Sequence, residues 1–178
     1  MKIPKDFYDF EGNAFTHCKN CQIDLLNPAQ AYTIEKAVKV YPEGLGEQVI
    51  FEHAICLSCS KQLSEEISKE SKERLQNYFE EKYLERSINR PNQNPLDFKA
   101  CLISGDRIDQ GEFYQVYALC NGDNLNMHQS PPFGLSAQAI EDIQEELSTE
   151  TKDFLSDFMG KHFGVPPEWE GQPSPLLL

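Results

Sequence analysis

Four of the six cysteines fall in two pairs, Cys18-Lys19-Asn20-Cys21 and Cys56-Leu57-Ser58-Cys59, and these pairs constrain the chain more than any other feature. Two residues between cysteines let both thiolates face one tetrahedral ion, with the intervening backbone free to donate N–H groups to sulfur. Two such pairs supply a closed ligand set. Cys18, Cys21, Cys56 and Cys59 are therefore the expected ligands of one structural Zn2+ per chain. The first residues, Met1 to Phe7, lack the apolar core of a secretory signal, so a cytoplasmic location is expected. Thiols stay reduced there, which favours metal binding over bridging. The competing reading is a redox Cys-x-x-Cys, which normally stands alone on a strand-to-helix turn of an α/β domain. Two pairs without a βαβ pattern argue against it. His17 abuts Cys18 and His53 precedes Cys56 by three residues. Since four cysteines already complete the shell, both histidines read as donors toward a thiolate rather than as ligands.

The 34 residues between the pairs, 22 to 55, exceed the usual spacing and leave room for a hairpin. Ala31–Ile34, Ala37–Tyr41 and Gln48–Phe51 read as strands, with a turn over Pro42–Gly46. A helix is expected from about Cys59 to Glu85, its apolar stripe being Leu63, Ile67, Leu75, Phe79 and Tyr83, widened by Tyr78. The order is knuckle, hairpin, then a second pair entering a helix. It resembles the treble-clef and zinc-ribbon-like group of four-cysteine zinc fingers, which implies an α+β fold with the second ligand pair in the helix's first turn.

Beyond Arg86–Pro95, rich in proline and asparagine, the pattern recurs. Phe98-Lys99-Ala100-Cys101 echoes Phe15-Thr16-His17-Cys18 at an offset of 83. Glu112–Leu119 reads as a strand, and a second helix, expected over roughly Ser136 to His162, aligns with the first at an offset of 80. Identities include Glu65/Glu145, Glu66/Glu146, Ser68/Ser148, Glu70/Glu150, Lys72/Lys152 and Leu75/Leu155. Glutamate-rich helices match cheaply, but the independent Phe-x-x-Cys match favours a true repeat over two unrelated αβ segments. The ligand positions then map to Cys101, Ser104, Ser136 and Ala139, a copy that has lost its ion. The expected organisation is two tandem treble-clef-like units: a zinc-binding one over 1–88, a linker over 89–97, a metal-free repeat over 98–163, and a Pro-rich tail over 164–178. Without metal, the second unit must hold itself by packing, and it is expected to lean on the first. Cys120 reads as a small buried strand residue, a reactive thiol being the alternative. Trp169 in the tail either folds back onto the protein or docks elsewhere.

Charge bears on function. The net charge is −13, divided as −3 over residues 1–90 and −10 over residues 91–178. Acidic helices disfavour nucleic acid as a partner, and no run of about 18 apolar residues suggests a membrane span. Ile55–Lys61 looks like the closing segment of HNH-type endonucleases, which also need an Asp-His or His-His pair in the hairpin as general base and metal ligand, and an asparagine before the second cysteine pair. Positions 22–52 contain no histidine, so the resemblance stops at the zinc scaffold, and no phosphate loop or nucleophile elbow occurs. The expectation is a non-enzymatic zinc protein acting as an interaction or adaptor module, whose acidic half suits a protein partner with a basic surface. The alternative is a nucleic-acid-binding or HNH-derived zinc protein.

Overall fold

The hairpin expected between the cysteine pairs forms the heart of an α+β fold. The computed structural model describes residues 1–89 and 97–164. Most of the expected linker and the tail with Trp169 therefore lie outside the described residues. Strand β1 (Ala31–Val40) turns through Pro42–Gly44 into β2 (Glu47–Cys56). Helix α1 (Leu57–Glu66) follows directly, then α2 (Lys69–Asn89). After residue 97 come β3 (Phe113–Asn121), β4 (Asn124–Leu125), β5 (Phe133–Ser136), α3 (Ala137–Glu145) and α4 (Thr149–His162). The five strands make one antiparallel sheet in the order β2-β1-β3-β4, with β5 also on β3.

Two expectations require correction. The sequence pattern separates strands at Ala31–Ile34 and Ala37–Tyr41, yet β1 runs through Glu35 and Lys36 without a break. Both side chains are buried and partnered. Lys36 Nζ donates to the Tyr8 carbonyl and lies 3.2 Å from Glu52 Oε2, while Tyr117 Oη donates to Glu35 Oε1 at 3.3 Å. Each long helix expected in one piece is also two. Ile67 leaves helical geometry (φ −70°, ψ 129°), and Ser68 Oγ then accepts from Ser71 N at 3.1 Å. Ser148 caps α4 in the same way, accepting from Thr151 N at 3.3 Å. Serine at such a position restarts a helix by satisfying an orphan N–H, and here it outweighs the continuous stripe.

The backbone repeats itself at the offsets seen in the sequence. Around Cys18 its N–H reaches the Ile23 carbonyl (2.9 Å), Gln22 N–H the Cys18 carbonyl (2.9 Å) and Leu25 N–H the Thr16 carbonyl (2.9 Å). Adding 83 gives Cys101 to Asp106 (2.8 Å), Gly105 to Cys101 (2.8 Å) and Ile108 to Lys99 (2.9 Å). Adding 80 carries the start of α1 onto that of α3, and the start of α2 onto that of α4.

The two halves meet in the sheet and through their helices. β1 pairs with β3 from Ala31↔Asn121 to Lys39↔Phe113. Beyond the sheet, the N-termini of α2 and α4 exchange bonds: Ser68 N donates to Thr151 Oγ1 (3.1 Å) and Ser148 N to Ser71 Oγ (2.8 Å). The two serine hydroxyls, Ser68 and Ser148, are 2.9 Å apart. Each long helix then crosses to the other half. The end of α2 lies on the second knuckle, Arg86 Nη1 donating to the Leu102 carbonyl at 2.6 Å. Phe163, at the end of α4, packs on Phe51 (centroids 5.0 Å) and His53 (5.2 Å), with Lys19 Nζ 5.7 Å from its ring. The core spans both halves, from Phe7, Leu25, Tyr32 and Ile34 to Tyr114, Leu135, Ile140 and Ile143. No described helix is long and apolar enough to cross a membrane.

Candidate metal centre

The knuckle places Cys18 and Cys21 by a tight turn that ends at Gln22, the single non-glycine residue with positive φ (63°) among the described residues. Cys56 is the last residue of β2 and caps α1, and Cys59 lies in that helix's first turn. Lys19 N donates to the Ala54 carbonyl at 2.9 Å, which clips the knuckle onto β2 and brings the pairs together. The four ligand sulfurs all lie within 4.8 Å of one another. Cys18, Cys56 and Cys59 are buried and Cys21 is exposed.

The geometry fits a tetrahedral dication. Zinc–sulfur bonds of about 2.3 Å require sulfur–sulfur edges of about 3.8 Å, and Cys21 Sγ stands 3.7 Å from Cys56 Sγ. The surroundings favour charge on the first knuckle. Burial pushes the Cys18 thiol up, but N–H groups of Cys21, Cys56 and Asn20 outweigh it and bring it down to about 7. Cys56 N is 3.3 Å from that sulfur. Burial dominates at Cys59, pushed up to about 12 against a bond from the Asn20 side chain, and it raises Cys56 as well. Two of the four thiols, Cys56 and Cys59, are reluctant to ionise, and a cation in the cluster would hold them as thiolates. A closed set of four sulfurs leaves no position for a substrate, so a held ion serves as a cross-link.

The structure thus brings together all four cysteines read from the sequence. It corrects the reading of the histidines. His17 Nδ1 pairs with Thr16 Oγ1 at 2.9 Å, and His53 Nε2 faces Glu35 Oε2 at 3.8 Å, its ring wedged between Phe51 and Phe163. Neither bonds a sulfur, because the strand register turns His53 toward Glu35, its cross-strand neighbour. The side chain that does reach a sulfur is Asn20. Its place inside the Cys-x-x-Cys was the available signal.

The equivalent place in the second half keeps the scaffold and loses the donors. Cys101 Sγ is 3.5 Å from both the backbone nitrogen and Oγ of Ser136, matching the Cys18–Cys56 contact. Leu102 N donates to the Gly134 carbonyl at 2.7 Å, as Lys19 does to Ala54. Cys120 is fully buried in β3, and burial pushes its thiol up to about 12. No protein-family model, curated protein or solved structure matches the chain.

Proposed function

We propose that Cys18, Cys21, Cys56 and Cys59 hold one structural zinc ion in the first of two treble-clef-like units, and that the chain is a non-enzymatic protein-interaction or adaptor module of a reducing compartment. The observation that carries the reading is the group of four sulfurs, all within 4.8 Å of one another and with a Cys21–Cys56 edge of 3.7 Å. When bound, zinc supplies a cross-link between knuckle and helix. The paired hydrogen bonds at offsets 83 and 80 support the tandem reading, with Cys101, Ser104, Ser136 and Ala139 as the degenerate ligand positions. Against a nuclease reading stands the hairpin, free of histidine from 22 to 52, and His53, buried against Glu35 and two phenylalanines.

The test is metal quantification on protein purified without chelators, alongside incubation with plasmid DNA and magnesium or manganese. One zinc per chain and intact plasmid are expected. Two zinc ions per chain would refute the metal-free second unit, none would refute the centre, and cleavage would refute the non-enzymatic reading.

A further inference from the structure

The four cysteines of the metal centre are not alike. Cys18, Cys56 and Cys59 are buried and Cys21 is exposed, so an oxidant arriving from solvent meets Cys21 first. Thiolate character and exposure together decide which cysteine oxidises, and a held dication keeps all four sulfurs as thiolates. Cys21 Sγ stands 3.7 Å from Cys56 Sγ, across the junction between the knuckle and the start of α1. Closing that gap to the roughly 2.05 Å of a disulfide takes about 1.7 Å of sulfur movement, shared between two side chains.

Cys18 is held differently. Its sulfur lies 3.3 Å from Cys56 N, and the N–H groups of Cys21 and Asn20 bond to it as well. The second half keeps that seat and drops the rest. Cys101, equivalent to Cys18, is buried with Ser136 N at 3.5 Å, while Ser104, Ser136 and Ala139 stand at the positions of Cys21, Cys56 and Cys59. A cysteine that accepts backbone N–H bonds therefore serves the knuckle even where the other three donors are gone. Cys59 is tied to the Asn20 side chain. Cys21 and Cys56 are left as the pair placed to change partners.

We infer that a hydroperoxide converts the centre into a Cys21–Cys56 disulfide that takes over the ion's cross-link and releases it, while Cys18 stays seated as Cys101 does. The inference rests on the zinc reading of the same four sulfurs and adds a regulation to it. In the first step the Cys21 sulfur attacks the peroxide: an S–O bond forms, the O–O bond breaks and hydroxide leaves, giving a sulfenic acid. The Cys56 thiolate then attacks that sulfur, and the S–S bond forms as the S–O bond breaks and a second hydroxide leaves. Two thiolates give up two electrons, the peroxide is reduced, and two protons from solvent turn the hydroxides into water. Cys18 and Cys59 remain, too few to hold zinc. The new bond joins the knuckle to the strand-helix corner, the same two elements that the ion joins, so the fold outlasts the release. A bond within one pair, Cys18 to Cys21, would cross-link nothing beyond the knuckle.

The experiment uses the full chain purified without chelators, with its zinc content measured first. Hydrogen peroxide is added in the presence of a zinc-binding dye, and the remaining thiols are alkylated in denaturant. Digestion with trypsin and chymotrypsin then cuts at Lys19, between Cys18 and Cys21, and at Leu57, between Cys56 and Cys59, so that mass spectrometry reads each cysteine separately. Two thiols should be lost for each zinc released, with Cys21 joined to Cys56 and with Cys18 and Cys59 alkylated. The urea midpoint of the oxidised chain should lie above that of the reduced chain stripped of zinc, and reduction with added zinc should restore the starting form. A preparation that holds no zinc at the outset overturns the zinc reading together with the inference. Zinc that is present but retained through peroxide overturns the inference alone, as does a bond from Cys21 to Cys18, to Cys59 or to another chain, or oxidation of Cys21 to a sulfinic acid. An oxidised midpoint at or below that of the stripped chain overturns the claim that the disulfide replaces the ion's cross-link.

Discussion

Substituting Gly134 tests how closely the second knuckle packs onto the sheet. This strand residue sits where the second knuckle closes on the sheet, its carbonyl accepting from Leu102 N at 2.7 Å. A Cβ at this position would stand 2.3 Å from Ile108 Cδ1 and 2.3 Å from the Phe98 carbonyl oxygen. Ordinary contacts between such atoms lie near 3.5 Å, so each must open by about 1 Å. Ile108 is a side-chain tip and can rotate, at a cost of about 1 kcal/mol for an off-rotamer position. Phe98 O is backbone, so relieving it draws the knuckle away and costs about one net hydrogen bond, roughly 1 kcal/mol. Residual overpacking adds about 0.5–1 kcal/mol. The Gly134→Ala change also stiffens the unfolded chain, returning about 0.5 kcal/mol. The net expectation is a loss of about 2 kcal/mol. With a urea m-value of about 2 kcal/mol/M, the midpoint should fall by about 1 M, with the zinc content unchanged. In the background of Ile108→Ala the further loss should be smaller, because one of the two contacts has gone, though the backbone contact remains. A midpoint that stays put or rises would refute the claim that close packing at Gly134 holds the second knuckle.

Cys59→Ser should abolish zinc binding in a chelator-dye titration, and melting should become a single early transition that includes α4, because β1 pairs with β3 and Phe163 packs on β2. Survival of the second half as a separate later transition would refute that coupling. Gln22→Gly should stabilise the chain by about 0.5–1 kcal/mol in urea titration, since a left-handed residue with a Cβ costs roughly 1–2 kcal/mol and glycine returns part of it as unfolded-state entropy; a loss would show that the Gln22 side chain matters more than its φ of 63°. Burial, helped by Lys19, pushes the His53 imidazole down to about 3 and outweighs the nearby Glu35 carboxyl. Below pH about 6.5 the unfolded chain takes up a proton that the folded one refuses, so stability is full above that pH and falls as pH drops toward 3. His53→Phe should flatten this acid limb in paired urea titrations from pH 7 to 4, and equal slopes in both proteins would refute it.

The centre was legible because four cysteines at fixed spacing admit few alternatives, and the sheet strands because Val, Ile, Tyr and Phe alternate around a Pro-Gly turn. What stayed hidden depends on partners distant in sequence. Glu35 and Lys36 look like a strand break until Tyr117, Glu52 and the Tyr8 carbonyl are in place. The break at Ile67-Ser68 has its cap written in the sequence, but its reason lies 80 residues away, at Ser148 and Thr151. Tyr83 fits the apolar stripe of α2 by spacing yet is exposed, because that helix outruns the surface it lies on. Periodicity reports which face is apolar; it does not report where the neighbouring layer ends.

The exchange of long helices gives the two halves the relation of subunits rather than of neighbouring beads. Half a chain alone would present the whole edge of β1, from Ala31 to Lys39, as an open pairing template, with the end of its helix resting on nothing. What completes it is an object of its own shape, turned about an axis near the Glu35↔Tyr117 pair. Two separate identical chains in that arrangement must change together, since every substitution appears on both sides. Tethering them in one polypeptide lifts that restriction. One half can keep its four sulfurs and anchor the common sheet, while the other carries Ser104, Ser136 and Ala139 in place of three of them and Leu102-Ile103 at its knuckle tip.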